Sequence, residues 1–376
     1  MKSIIVLGAG LVGSAIAIDL QKKYKVTSAD INQKNLNYLK SNYNINTIEI
    51  DFNNEDALSE TISVYDLVIS AVPGFLGYKT LERVIRSAKN VVDISFFPED
   101  AFELDKLAKE YKVTAVVDCG VAPGMSNLIC GYHNNLMNVL NFECYVGGLP
   151  KLRILPFQYK APFSPVDVIE EYTRPARIRE NGKILSKPAL SEREYLYFDN
   201  IGTLEAFNTD GLRTLLKTTQ IPNMKEKTLR YPGHIDIILL LRECGFLSEK
   251  EIDFNGNKII PLQFTSKILF PQWKLNKNDE EFTVMRIIIE GIENQKEVKY
   301  IYNLFDYYDI NTGISSMART TGYTATAVSN FILEGKFEEK GVLPPELLSK
   351  NSELFNFIFQ YLEERKIFYE RKKIEK

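Results

Sequence analysis

The stretch Ile-Ile-Val-Leu-Gly-Ala-Gly-Leu-Val-Gly, residues 4–13, decides the fold of this chain. Four apolar residues predict a buried strand, and the residues after the last glycine have the spacing of a helix. In this setting Gly8 permits a tight turn, Gly10 lets the backbone approach a pyrophosphate, and Gly13 lets helix and strand pack closely. The helix amino terminus favours negative charge. The stretch therefore predicts a dinucleotide site on Gly8, Gly10, Leu11, Val12 and Gly13.

A carboxylate and a turn of small residues support the same site. Asp30 follows the predicted strand Lys25–Ala29, within the roughly 20-residue spacing at which an acidic residue accepts hydrogen bonds from the adenosine ribose. It would repel the 2′-phosphate of NADP, so we expect the protein to prefer NAD to NADP as its cofactor. The turn that follows the fourth strand adds Ala71, Val72 and Pro73. The alternative for Asp30 is a solvated side chain without a ligand, and the alternative for residues 71–73 is an ordinary strand-ending turn.

The first third of the chain alternates short β-branched runs with helical patterns, which is typical of a parallel sheet with crossover helices. The order predicts an α/β Rossmann domain with a doubly wound parallel sheet over residues 1–125. The predicted strands are Ile4–Leu7, Lys25–Ala29, Thr47–Ile50, Asp66–Ser70, Asn90–Ile94 and Val113–Val117, and the predicted helices are Leu11–Gln21, Asn35–Asn42, Glu55–Ile62, Tyr78–Ala88 and Ala101–Tyr111.

Beyond about residue 140 the pattern changes, because aromatic residues and prolines become more frequent. Strands are predicted at Glu143–Val146 and Thr283–Glu290 in a separate mixed α/β domain, residues 126–315. Residues 317–333 are rich in Ala, Ser and Thr and predict a closely packed helix. Residues 354–376 predict an amphipathic, charged helix at the end of the chain. Two domains agree with a length of 376 residues.

Composition narrows the class of protein. Hydrophobic residues make up 45%, charged residues 25%, and the net charge is −3, so no basic nucleic-acid surface is indicated. No apolar run approaches the roughly 18–20 residues that span a bilayer. Two histidines and four scattered cysteines without Cys-x-x-Cys spacing give no reason to expect a metal site. We expect a soluble, cytoplasmic protein that binds a small molecule.

A second polar segment follows the strand at Val113–Val117. Asp118 comes directly after this strand, where ligands of such sheets bind, so it is placed near a nicotinamide as a catalytic group. The alternative is that it orders the glycine turn after it. Ser126 or Asn127 is expected to cap the next helix, and the helix start, with Asn127, to hold a substrate carboxylate.

Four segments carry a resemblance to a known family: residues 118–127, 205–213, 228–234 and 316–323. In order and spacing they resemble the saccharopine dehydrogenase-like family, and most closely its lysine 6-dehydrogenase branch, from Met1 to about Pro345. One departure is clear. The Asp-Pro-Gly-Ile-Asp-His-type signature of the glutamate-forming saccharopine reductases is replaced by Asp118-Cys119-Gly120-Val121-Ala122-Pro123-Gly124, which weakens the case for saccharopine as the substrate.

The resemblance implies a Rossmann domain with an inserted catalytic and dimerisation domain, hence a homodimer. It also implies that residues 316–376 return to pack on the Rossmann domain. Arg230, and next Arg213, are the expected partners of a substrate carboxylate, although each could form an ordinary ion pair. Oxidation of an amine requires a deprotonated nitrogen, and His234 is the expected base. His133 has no counterpart in the family and is expected on a helix surface.

Three functions remain open at this stage. The first is NAD-dependent oxidation of the carbon that carries the ε-amino group of lysine or a close analogue, followed by imine hydrolysis or cyclisation. The second is a saccharopine dehydrogenase or a carboxynorspermidine-type reductase, in which nitrogen joins two carbon skeletons. A wider pocket with more than one arginine would favour it. The third is a non-catalytic dinucleotide sensor.

Overall fold

The apolar runs of the amino-terminal third form parallel strands separated by helices. The computed structural model describes residues 1–276 and 279–375. Its first elements are β1 (Ser3–Leu7), α1 (Leu11–Leu20), β2 (Lys25–Asp30), α2 (Gln33–Tyr43), β3 (Asn46–Glu49), α3 (Glu55–Ile62), β4 (Leu67–Ser70), α4 (Gly74–Arg86), β5 (Val91–Asp93), a 3-10 helix (Ala101–Leu104) that continues into α5 (Asp105–Glu110), and β6 (Thr114–Val116). Most predicted ends are within two residues of the observed ones.

The remaining chain forms longer strands and then returns to the first sheet. Its elements are α6 (Met125–Leu136), β7 (Asn138–Pro150), α7 (Pro165–Thr173), β8 (Ala176–Glu180), β9 (Lys183–Lys187), β10 (Glu194–Phe198), β11 (Gly202–Asn208), α8 (Leu215–Thr218), β12 (Asn223–Arg230), α9 (His234–Glu243), β13 (Ile252–Phe254), β14 (Asn257–Ile259), α10 (Pro261–Trp273), β15 (Glu281–Glu293), β16 (Lys296–Tyr307), α11 (Ser316–Leu333), β17 (Gly341–Leu343), α12 (Pro345–Leu348), α13 (Ser352–Glu364) and β18 (Tyr369–Glu375).

Two large sheets organise these elements. Within the described residues, the first sheet has the order β17-β6-β5-β4-β1-β2-β3, and every pairing in it is parallel. The second has the order β10-β11-β12-β7-β15-β16-β18, with β8 beside β12 and β9 beside β8. It is mixed, because β12 runs parallel to β7 while its other pairings are antiparallel. The predicted α/β class, a Rossmann sheet with a mixed α/β part, is confirmed.

The carboxyl-terminal part of the chain lies against the Rossmann sheet. Helix α11 packs on α1, where a Cβ at Gly322 would stand 3.1 Å from the Cγ1 of Ile16. The carboxylate of Asp19 in α1 accepts hydrogen bonds from Thr326 at 3.1 Å and from Tyr361 at 2.7 Å. Strand β17 then extends the first sheet beside β6. Helix α11 also contacts β15 and β16 of the second sheet as well as β4 and β5 of the first, so it lies between the two sheets.

Two expectations from the sequence, one about the end of the chain and one about His133, are wrong. Residues 369–375 are not helical, because the helix ends at Glu364 and β18 pairs with β16. The Lys373 Nζ lies 2.7 Å from a carboxylate oxygen of Glu293. Charged residues whose spacing suits the face of a helix therefore form an ion pair between strands. His133 is buried rather than exposed, because α6 packs on the second sheet and the His133 Nε2 lies 2.9 Å from the Tyr302 hydroxyl.

The helices of the described residues carry no membrane-spanning candidate, because none combines the required length and apolar character.

Candidate active site

A cavity of about 940 Å³ joins the carboxyl ends of the parallel strands to the second sheet. Its lining includes the glycine turn after β1 and Asp30, and also side chains of β12. All nine residues predicted to contact the cofactor lie on its wall: Gly8, Gly10, Leu11, Val12, Gly13, Asp30, Ala71, Val72 and Pro73. Sequence-distant segments therefore meet around one space that is large enough for a dinucleotide and a small substrate.

The three glycines of the turn have different surroundings. A Cβ at Gly8 would overlap the carbonyl oxygen of Ala71, and Gly8 also has a φ of +103°. A Cβ at Gly13 would overlap the carbonyl oxygen of Gly8. At Gly10 a Cβ would have no protein atom within 4 Å. Gly8 and Gly13 are thus required by the fold, whereas the missing side chain at Gly10 leaves space only for something bound in the cavity.

The Asp30 carboxylate is oriented by backbone groups. Its Oδ2 accepts a hydrogen bond from the Ala9 amide at 2.6 Å, and its Oδ1 accepts one from the Asn32 amide at 2.8 Å. The side chain is half-buried and lies on the cavity wall, as does Lys34 on the following helix. A glycine turn at a helix start with an oriented carboxylate nearby fits the pyrophosphate and ribose of a pyridine nucleotide.

Asp118 and Arg213 form a buried ion pair. The Arg213 Nε donates to both carboxylate oxygens, at 2.8 and 2.9 Å, and its Nη1 donates to the Phe97 carbonyl at 2.6 Å. Their side chains are 1% and 5% exposed, and neither residue is part of the cavity wall. The roles of Asp118 in catalysis and of Arg213 in substrate binding stay predictions. In this geometry the two side chains instead connect distant segments of the chain through a buried ion pair.

The helix after Asp118 begins differently from the prediction. It starts at Met125 with Gly124 in the cap position, so Ser126 and Asn127 are not caps but lie in the first turn. Gly124 has a φ of +143°, and a Cβ there would overlap Gly120, so the turn ends on this glycine. The buried Asn127 amide donates to the Glu346 carboxylate at 3.3 Å, and the residue is not on the cavity wall.

Arg230 lies on the cavity wall but is already hydrogen-bonded. Its Nη2 donates to Glu171 at 2.6 Å and to the Tyr159 hydroxyl at 3.4 Å. Its Nε donates to the Tyr172 hydroxyl at 3.0 Å, and its Nη1 to the carbonyl of Leu229 at 3.0 Å. A substrate carboxylate would therefore have to share this guanidinium with Glu171.

His234 is behind the wall rather than on it. It is 1% exposed, its Nε2 lies 2.9 Å from the Tyr172 hydroxyl, and its Nδ1 lies 2.8 Å from the Phe157 carbonyl oxygen. Burial, helped by the charge of Arg230, lowers the pKa of His234 to about 3. An imidazole with this pKa accepts a proton weakly near neutrality, so its role as the base stays a prediction that this geometry does not favour.

Three carboxyl groups on the wall that have raised pKa values were missed by the sequence interpretation. Burial raises the pKa of Glu226 to about 8 and that of Asp167 to about 6. Burial also raises the pKa of Glu171, against the opposing effect of Arg230. The signal for Glu226 was present, because alternate residues of a strand share a face and Arg230 is four positions later. Only the strand assignment of residues 223–230 was lacking.

Comparisons with known proteins agree with this architecture. A family model described as the saccharopine dehydrogenase NADP binding domain matches residues 4–116, and one described as the saccharopine dehydrogenase C-terminal domain matches residues 120–367. Together they cover both the parallel sheet and the mixed sheet.

Three curated relatives share between 23% and 28% of their aligned residues with this chain. A saccharopine dehydrogenase [NADP(+), L-glutamate-forming] of Pyricularia oryzae is 28% identical over 79% of this chain and 69% of its own length. A carboxyaminopropylagmatine dehydrogenase of Synechocystis is 24% identical over 79% of this chain and 75% of its own length. The mitochondrial alpha-aminoadipic semialdehyde synthase of Mus musculus is 23% identical over 92% of this chain, which spans 45% of that relative.

Solved structures show the same fold. The apo saccharopine dehydrogenase (L-Glu forming) of Saccharomyces cerevisiae has a TM-score of 0.80 at 20% identity, with 100% of both chains covered. A homospermidine synthase of Legionella pneumophila in complex with NAD has a TM-score of 0.70 at 12% identity, covering 99% of this chain and 91% of that one.

Proposed function

The chain belongs to the saccharopine dehydrogenase family, and from this membership and the cavity we propose that it oxidises the carbon–nitrogen bond of an amine-rich amino acid with NAD. Its named relatives are dehydrogenases, and the chain is an oxidoreductase that acts on CH–NH or CH–NH₂ groups with a pyridine nucleotide. The interpretation as a non-catalytic sensor therefore has no support. The substrate and the choice of nucleotide are the parts that we propose.

The proposed preference for NAD rests on Asp30. Its carboxylate lies on the wall beside the glycine turn, where it would accept hydrogen bonds from ribose hydroxyls and repel a 2′-phosphate. The name of the matching family model and that of the Pyricularia relative favour NADP instead, and Lys34 on the wall could attract a phosphate. When bound, the nucleotide supplies the acceptor for a hydride. Comparing the affinities of both reduced nucleotides by fluorescence titration tests the preference.

The proposal for the substrate rests on the charged residues of the cavity wall around β12, which we call the reactive wall. Asp167, Glu171 and Glu226 line this part of the cavity, and Arg230 is the arginine that lines it among the described residues. Arg230 is paired with Glu171, so beside β12 a carboxylate would have to share this guanidinium, while Asp167 and Glu226 are two further acidic groups for an amine. Lys274 and Asp279, one of each charge, also line the cavity. Saccharopine, which carries several carboxylates, would find few cationic partners here, because Arg230 is already shared with Glu171. Lysine, with one carboxylate and two amines, matches the wall, and we propose its ε-amino carbon as the position oxidised.

A second candidate is an amine in which nitrogen joins two carbon skeletons. The relation to carboxyaminopropylagmatine dehydrogenase favours it, because the name of that relative describes a compound with a carboxylate and a strongly cationic group. Such a molecule also suits an acidic wall. In this case the reaction could run reductively, with an imine as the substrate.

One assay separates these possibilities. Formation of the reduced nucleotide should be followed with lysine, ornithine, saccharopine and an N-carboxyalkyl diamine as separate substrates. Our proposal predicts the highest kcat/KM for lysine and little turnover of saccharopine. Preferred turnover of saccharopine would contradict the charge argument, whereas preferred turnover of the N-carboxyalkyl diamine would establish the second candidate.

Three expectations on assembly and location also remain proposals. We propose a homodimer, for which analytical ultracentrifugation is the test, and a cytoplasmic location, for which cell fractionation is the test. We also propose domain boundaries near residues 125 and 315, with residues 316–364 held on the Rossmann domain. The expectation that residues 369–375 also pack there is wrong, because β18 pairs with β16 in the second sheet. Limited proteolysis should then cut the loops between the two sheets before it releases the carboxyl-terminal segment.

A further inference from the structure

Strand β12 presents three residues of different chemistry to the cavity. Glu226, Thr228 and Arg230 alternate along the strand and all line the same wall. Residues of a strand rise by about 3.3 Å each, so the α-carbons of Glu226 and Arg230 are separated by about 13 Å. The strand therefore offers an acidic group and a basic group at two ends of one surface.

The carboxyl group of Glu226 is buried at the cavity wall. The residue is 3% exposed, and its Oε2 has no hydrogen-bond partner within the described part of the chain. The carboxyl group lies against Gly211, where any Cβ would overlap its Oε1. A buried polar atom without a partner is costly, and Glu226 lines the cavity, so a ligand bound there is the expected partner of this carboxyl group.

We infer that Glu226 binds the nitrogen of the substrate and accepts its proton, an inference that rests on the proposed oxidation of an amine. An ammonium group donates hydrogen bonds, and its positive charge compensates the negative charge of a buried carboxylate. Two other acids with raised pKa values on the wall are less suited, because Glu171 is bonded to Arg230 and Asp167 accepts a hydrogen bond from the Gly74 amide at 3.2 Å.

The proton and electron balance of the step is simple. The ammonium group gives one proton to the Glu226 carboxylate, which leaves a neutral amine and a neutral carboxylic acid. The nitrogen lone pair then forms a C=N bond while the adjacent carbon gives up its hydride to the nicotinamide. An iminium ion and the reduced nucleotide result, and the total charge is unchanged. Water can then hydrolyse the iminium, or the α-amine can add to it.

The surroundings of Glu226 place its ionisation in a useful range. Its pKa is raised to about 8, first by burial and then by Asp210, Glu171 and Asp118, while Arg213 opposes this effect. A base with a pKa near the working pH is the most effective, and this separates Glu226 from His234 with its pKa of about 3.

The test compares two buried glutamates. Glu226→Gln keeps the shape of the side chain and removes the base, so kcat with lysine should fall about 100-fold or more. The acidic limb of the kcat/KM pH profile near pH 8 should disappear, and NAD affinity should be unchanged. Glu281→Gln is the matched control, because Glu281 is also buried with a pKa of about 8 but is not on the cavity wall. It should keep the wild-type pH profile.

A binding measurement gives a second readout that needs no turnover. In the presence of NADH, calorimetry should show that wild-type protein binds lysine at least tenfold more tightly than norleucine, which has the same skeleton but no ε-amine. Glu226→Gln should bind both with similar affinity. Loss of this preference in Glu226→Gln supports the inference, and an unchanged preference or an unchanged pH profile overturns it. If wild-type protein oxidises no amine, the proposed function fails, and the binding measurement alone decides the role of Glu226.

Discussion

Replacing Glu226 with glutamine should change the pH dependence of folding stability as well as activity. The pKa of this carboxyl group is raised from 4.5 to about 8 in the folded protein. Between these values the folded protein holds a proton that the unfolded chain has released. The contribution of Glu226 to stability is therefore fully present below pH 4.5 and is lost as the pH rises through 8.

The magnitude follows from the two pKa values. They differ by about 3.5, and each pKa unit corresponds to about 1.4 kcal/mol, which gives an upper limit of about 5 kcal/mol. Relaxation around an ionised carboxylate reduces this value, so we expect about 2–4 kcal/mol. This is well above the roughly 0.5 kcal/mol of an ordinary surface substitution. Relative to wild type, Glu226→Gln should become more stable by this amount between pH 5 and pH 9.

Urea unfolding of both proteins across this pH range measures the effect. The difference between variant and wild type is the informative quantity, because other buried acids such as Glu281 and Asp93 contribute to both curves. Thr228→Ser, a neutral change on the same strand face, should give a difference that does not vary with pH. A Glu226→Gln difference that is equally independent of pH would refute our account of the buried carboxyl group.

The remaining predictions concern the cofactor turn and the buried ion pair. Gly10→Ala should weaken binding of NADH at least tenfold with little change in Tm, because its Cβ meets no protein atom, whereas Gly13→Ala should lower Tm, because its Cβ overlaps the backbone. Fluorescence titration and thermal unfolding check both. Asp30→Ala should narrow the preference for NAD over NADP, and equal wild-type affinities would contradict this role. Arg213→Ala leaves Asp118 buried without a partner and should cost about 3–5 kcal/mol in denaturant unfolding, whereas a raised KM at unchanged stability would instead support substrate binding.

The parallel half of the fold was predictable because its signals are local. Each buried strand is a short apolar run, and the glycine turn and Asp30 follow their strands directly in the sequence. The tail at residues 369–375 was not, since Lys and Arg residues with few apolar neighbours suit either a solvated helix or an edge strand. Only the exposed edge of β16, formed far away in the sequence, decides for the strand.

The reactive wall was less predictable because its properties arise from burial. Arg230 was found through its motif, but its pairing with Glu171 depends on how α7 packs against β12. The same holds for Asp118 and Arg213, which are 95 positions apart and pair with each other rather than facing the cavity. The alternation with Arg230 could have placed Glu226 on the same strand face, but no local pattern indicates that its carboxyl group is buried. Its pKa is raised first because other elements exclude water from it, and then because the fold brings other acidic residues close to it.

The charges on the wall explain how the site could select an amine. Near neutral pH, burial lets Glu226 keep its proton before a substrate enters, so the protein avoids holding an unpaired buried charge. An entering ammonium stabilises the ionised form and lowers this pKa, so binding of the amine is coupled to ionisation of the carboxyl group. An analogue without the amine gains nothing from this coupling, and one with a second carboxylate opposes it, because Arg230 is already shared with Glu171. Selectivity would then follow from the nitrogen that reacts, since the carboxylate that recognises the amine is also the group that removes its proton.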